Sequence, residues 1–176
     1  GEEYDAREPM GYECVDKLST PEENTEFSGD ILPSDGAEVY LRTDLALAPV
    51  KAYVWKNVEG AKENEFGKVI IAREFASGTE MTVSPGETLV VDFGQNCASV
   101  PSFVFKAAEG TVLTCLPAEL LNDGNGAKIR GMDGPEGSCH RENLRIPHTG
   151  IRLDYTFASG DNYVAYYPHC TFFGYR

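Results

Sequence analysis

Between Ile151 and Phe157 the residues Ile151, Leu153, Tyr155 and Phe157 alternate with Arg152, Asp154 and Thr156. A period of two puts one set on a buried face and the other on a wet face of a β-strand, and no helix satisfies that spacing. Shorter segments with the same rhythm recur at 38–42, 50–55, 68–75, 88–93, 102–106, 111–116 and 163–166. Turn residues separate them, at Ser84-Pro85-Gly86, Glu109-Gly110 and Ser159-Gly160-Asp161-Asn162. Several short strands punctuated this way predict an all-β fold, an antiparallel β-sandwich. The one helix-like signal is a short turn around Ala118 to Asn122.

The first 36 residues are acidic and interrupted by Pro9, Pro21 and Pro33, so they read as an extended lead-in, with the sandwich over 37–176. A stretch from Leu121 to Gly137, rich in Gly, Asn and Asp, is far longer than an ordinary connection and marks a functional or mobile loop. No apolar run approaches the roughly 20 residues of a membrane helix, so membrane insertion is not expected. The opening GEEYDAREPMGYE carries neither the basic nor the apolar region of a signal peptide.

Acidic residues number 28 against 15 basic ones, a formal charge of -13. That field repels phosphate backbones and argues against nucleic acid as a partner, while a neutral glycan or a hard cation is not penalised. The five cysteines Cys14, Cys97, Cys115, Cys139 and Cys170 form no CxxC pair and share no zinc-type spacing with His140, His148 or His169. Cys115, set between Leu113 and Leu116, reads as a buried inert thiol. Cys139 adjoins His140, but neighbouring residues on a strand point to opposite faces and form no dyad, and structural or solvated roles are favoured for all three histidines.

Three clusters carry most of the remaining information: GEEYDARE at 1–8, VVDFGQN at 90–96, and RENLR at 141–145 running through LDYTFASG to YYPHCTFFGYR. In order and spacing they resemble the concanavalin-like domain of bacterial α-L-rhamnosidases. The matching positions are Gly1, Glu2, Tyr4 to Arg7, Asp92 to Asn96, Glu119, Leu121, Asn143 to Arg145, Asp154, Tyr155 and Thr171 to Arg176. The resemblance implies a jelly-roll-like sandwich that packs against an (α/α)6 catalytic barrel beginning after Arg176. It also implies that residues 1–36 finish a preceding module. The parent would remove terminal rhamnose from plant glycans by an inverting mechanism, with a general acid and a general base in the barrel. A bacterial periplasm or cell surface is the implied location, and the fragment alone is expected to be inactive.

Within the chain, the candidate substrate-binding residues are Asp92, Gln95, Asn96, Glu119, Arg145 and Trp55. Asp, Asn, Gln and Arg supply the paired donors and acceptors that sugar hydroxyls need, and an aromatic face covers the apolar face of a sugar ring. Against this stands a structural role for Asp92, Gln95 and Asn96, whose short polar side chains commonly bond backbone amides where a strand ends. That role is the favoured one. Glu119, Asn122, Asp123 and Asn125 form an oxygen-rich patch of the kind calcium takes, with Asp123 and Asn125 the candidate ligands, although a solvated acidic loop explains it as well. No other cofactor is indicated. Two alternatives to an accessory domain stay open: a stand-alone rhamnoside-binding module, with or without calcium, and a protein-interaction or adhesion domain built on exposed aromatics.

Overall fold

The computed structural model describes residues 2–8, 41–123, 134–141, 151–158, 162–168 and 172–176. The chain divides into two compact units, one of Gly1–Arg7 with Leu47–Arg176 and one of Glu8–Ala46. Of the smaller unit, the described part is a single 3-10 turn, Thr43–Leu45, with Arg42 ion-paired to Asp44. Leu41 and Arg42 are not in a strand, and the rest of the strand expected at 38–42 lies outside the described residues.

The larger unit is built of strands alone among the described residues. In chain order they are β1 (Glu2–Asp5), β2 (Lys51–Glu59), β3 (Lys68–Phe75), β4 (Thr88–Asp92), β5 (Cys97–Ser99), β6 (Phe103–Phe105), β7 (Val112–Cys115), β8 (Leu120–Leu121), β9 (Cys139–His140), β10 (Leu153–Thr156), β11 (Val164–Tyr166) and β12 (Phe173–Tyr175). They pair as β3-β2-β4, β1-β10-β7, β11-β6, β12-β5 and β8-β9, every pair antiparallel except β1 with β10. The all-β sandwich is therefore present. The helical turn expected near Ala118 is instead β8, because its backbone pairs with β9 at Leu120↔His140 and Leu121↔Cys139.

Two buried clusters lie in this unit among the described residues. In the first, Tyr155, Phe157 and Tyr166 are buried together, with Tyr4, Phe103, Phe105, Leu113 and Val164 packed against them. These are the inward residues of β1, β10 and β7 meeting those of β6 and β11, as period two requires. Ring contacts knit the layer: Tyr4 stacks on Tyr155 at 5.3 Å, and Phe105 meets Phe157 at 4.7 Å. The second core joins Tyr53, Val69 and Val90, with Trp55 and Cys139 against it.

Strand β2 is buried on both faces over 52–54 only, which explains its unbroken Ala52-Tyr53-Val54 run. Tyr53 enters the second core, while Ala52 shares a crevice on the opposite face with Phe75 and Met81. The connection from Ala76 to Glu87 closes that side. Arg73 holds it, donating to the Glu87 carboxylate through both terminal nitrogens and to the Thr82 carbonyl at 3.1 Å. Two register shifts flank Trp55, where β2 and β3 slip past one another and leave Ile70 and Ile71 both exposed.

Candidate functional site

The DFGQN stretch begins at the last residue of β4. Asp92 Oδ1 accepts a hydrogen bond from the Gly94 backbone N–H at 2.7 Å, closing the turn, and a second from Arg176 Nε at 3.0 Å. Gly94 has φ +82, a conformation that favours glycine, and a side chain there would crowd Val50. Arg176 is fixed twice more through its backbone. Its carbonyl accepts from Phe93 N–H at 2.8 Å, and its own N–H donates to the Ala118 carbonyl at 2.9 Å. One step along, Asn96 Nδ2 donates to Glu119 Oε1 at 3.1 Å. Glu119 also faces Gly174 of β12, whose missing Cβ would lie 3.6 Å from that oxygen.

Three segments distant in sequence thus meet here: the turn from β4 to β5, the approach to β8 and the end of β12. Of the six residues the sequence singled out, Asp92, Asn96 and Glu119 come together, and Gln95 is exposed beside them. Trp55 does not join them. Asp92 pairs with Lys51, four residues from Trp55 along β2, a separation of about 13 Å at the strand rise. Trp55 packs instead on the second core, and its indole Nε1 is buried without a hydrogen-bond partner among the described residues. Arg145 lies outside the described residues.

Arg176 is the residue that sequence reasoning passed over as a site candidate, although it bonds Asp92, Phe93 and Ala118. It stood in a recognised motif, but nothing in a single sequence shows that the end of β12 returns to Asp92. Chemically the arrangement is a latch. Asp92 and Glu119 direct carboxylate oxygens to donors of the protein itself, which holds β12 and the Asp92–Asn96 turn together.

A second polar group lies inside the fold. Asn122, 3% exposed, donates from Nδ2 to Ser138 Oγ at 2.9 Å and to the Cys139 carbonyl at 3.3 Å, and its Oδ1 lies 3.2 Å from His140 Nδ1. Ser138 Oγ in turn donates to the Pro135 carbonyl at 2.6 Å. Of the expected oxygen-rich patch, Asn122 turns inward and Asp123 is exposed, while Asn125 lies outside the described residues. Among the described residues no group of three or more His, Cys, Asp and Glu is placed to hold a metal ion.

His140 is a buried structural residue bonded to Asn122, whereas His148 and His169 fall outside the described residues. Cys97, Cys115 and Cys139 are free thiols. Burial pushes the Cys115 thiol up to about 11, which keeps it protonated and unreactive. Burial likewise raises Tyr53 to about 12, with its hydroxyl donating to the Gly137 carbonyl at 2.5 Å.

No significant match is found among curated proteins or among solved structures. The family model for the bacterial alpha-L-rhamnosidase concanavalin-like domain matches residues 82–176, which includes the Asp92–Arg176 latch, the Asn122 network and the aromatic core residues of β6, β10 and β11. With more than half of its length matched and an all-β sandwich to carry the match, the chain belongs to the bacterial α-L-rhamnosidase concanavalin-like domain family.

Proposed function

We propose that this chain is the accessory sandwich of an α-L-rhamnosidase, packing against the catalytic part of the same polypeptide and holding it in place for terminal rhamnose on plant glycans. The observation that carries this reading is the family match over 82–176. What the geometry adds is a rigid frame with apolar side chains turned outward. Leu116, Leu120 and Leu121 are all more than 40% exposed, and they flank Ala118 and Glu119, which the latch fixes to β12. Exposed leucines on a fixed frame are what a permanent interdomain contact uses, since burying each contributes roughly 1.5–3 kcal/mol. A periplasmic or cell-surface location accompanies this reading, where such glycans are met.

The test expresses the catalytic part of the parent enzyme with and without this chain. The two pieces are expected to associate when mixed, and the catalytic part alone is expected to lose thermal stability and activity on an aryl rhamnoside. Leu120→Asp with Leu121→Asp should weaken association at least about tenfold while leaving the sandwich folded, because both side chains are exposed. A catalytic part that is equally stable and active alone, and that ignores the added sandwich, would sink the proposal.

A further inference from the structure

The outward face of the β6–β11 ribbon differs from the rest of this acidic chain. Exposure alternates without a break along both strands: Ser102, Val104 and Lys106 are exposed on one, Tyr163, Ala165 and Tyr167 on the other, and the residues between them turn inward. Val104 pairs with Ala165, so these two form a flat, small-residue floor in the middle. Tyr163 and Tyr167 stand at its ends, 49% and 48% exposed and about 13 Å apart at the strand rise. Only Lys106 of the six is charged.

Tyr163 is also held in place. The Lys106 ammonium sits 4.9 Å from its ring centroid, over one ring face. An exposed aromatic ring braced on one face has less rotamer freedom left to lose on binding. Two tyrosines flanking a flat apolar floor, with hydroxyls and one ammonium at the margin, offer ring faces to C–H groups and polar atoms to hydroxyls.

We infer that this strip is a glycan-stacking surface, which takes a short neutral oligosaccharide along the ribbon with sugar rings laid on Tyr163 and Tyr167. Its size selects that occupant over a protein. The ribbon is two strands wide, roughly 5 Å between strand axes, and offers six side chains, whereas a stable protein interface needs about 800 Å² and 20–30 residues on each side. Its near-neutrality selects an uncharged ligand. Naming rhamnose as a component of that oligosaccharide rests on the rhamnosidase reading; the surface itself does not.

The experiment titrates L-rhamnose and a rhamnose-terminated disaccharide, through the millimolar range, into the full chain labelled for amide NMR. Shifts are expected to concentrate in 102–106 and 163–167, with saturable millimolar binding that Tyr163→Ala and Tyr167→Ala each weaken about tenfold. Tyr163→Phe, which keeps the ring, should bind within about threefold of the unmodified chain. The variants are at exposed positions, and dispersed amide spectra verify that they fold. Absence of shifts, shifts centred on Asp92, Asn96 and Glu119, or tyrosine variants that bind as well as the parent would each overturn the inference. So would a Tyr163→Ala, Tyr167→Ala double variant that keeps sugar binding but loses association with the catalytic part. Sugar binding at this strip without any association between the chain and the catalytic part would leave this inference standing and sink the accessory-domain reading.

Discussion

At Gly67 the chain has no room for even a methyl group. With φ at +77, an added Cβ would fall 2.2 Å from the Glu59 carbonyl oxygen and 2.7 Å from the Ala61 nitrogen, both backbone atoms that cannot rotate away. Gly60, in the same loop and also left-handed at φ +68, has nothing within 4 Å of that position. Gly60→Ala should therefore cost only the conformational penalty, roughly 1 kcal/mol, and Gly67→Ala well above about 2 kcal/mol, because collision adds to it. Denaturant unfolding followed by the fluorescence of Trp55 measures both, and equal losses would refute the steric argument. Val54, with none of its surface exposed, is the opposite case. Val54→Ala removes two buried methyl groups from a closed site and should lower stability by about 2 kcal/mol.

Among the elements, the connection over β2 depends on a titratable clamp. Arg73 beside Glu87 holds that carboxyl down at about 2, against an ordinary value of 4.5, and the Ser84 N–H bonded to it at 2.9 Å works in the same direction. Because the folded value is the lower one, the clamp's contribution is complete above about pH 4.5 and disappears as the pH falls toward 2. Glu87→Gln is expected to lower stability at neutral pH and to flatten the fall between those values, read from melting temperatures across the acid range. A parallel fall in the variant would place the acid sensitivity elsewhere, as at Asp5, whose carboxyl Arg7 also holds at about 2. The strands this clamp serves were legible: 68–75 was expected and β3 occupies it, because period two and turn residues are local signals. β5 and β8 were not, being two or three residues long and defined by partners far along the chain, such as Tyr175↔Cys97 and Leu121↔Cys139. β1 escaped for a related reason, since a proline-broken acidic lead-in hides a strand whose parallel pairing with β10 no local pattern announces.

For the whole molecule, the candidate site shows the same division between what a sequence carries and what only folding supplies. Asp92, Asn96 and Glu119 were recognisable as polar residues bordering apolar strands, but their convergence, and the separation of Trp55 from them, follow from the register of β2 with β4 and from Arg176 returning to Asp92. Charge, by contrast, is a property of composition. With 28 acidic residues against 15 basic, any compact state of this chain repels itself. The ion pairs that offset this are mostly exposed, Arg7–Asp5, Arg42–Asp44, Lys62–Glu65 and Lys68–Glu136 among them, and solvent screens exposed pairs so that each contributes little. Screening shortens from about 30 Å at 0.01 M salt to about 8 Å at 0.15 M, which weakens the long-range repulsion more than contacts near 3 Å. The melting temperature at pH 7 should therefore rise as sodium chloride increases over that range. A fall would mean that the paired charges outweigh the unpaired excess, and that this acidic surface stabilises the fold instead of opposing it.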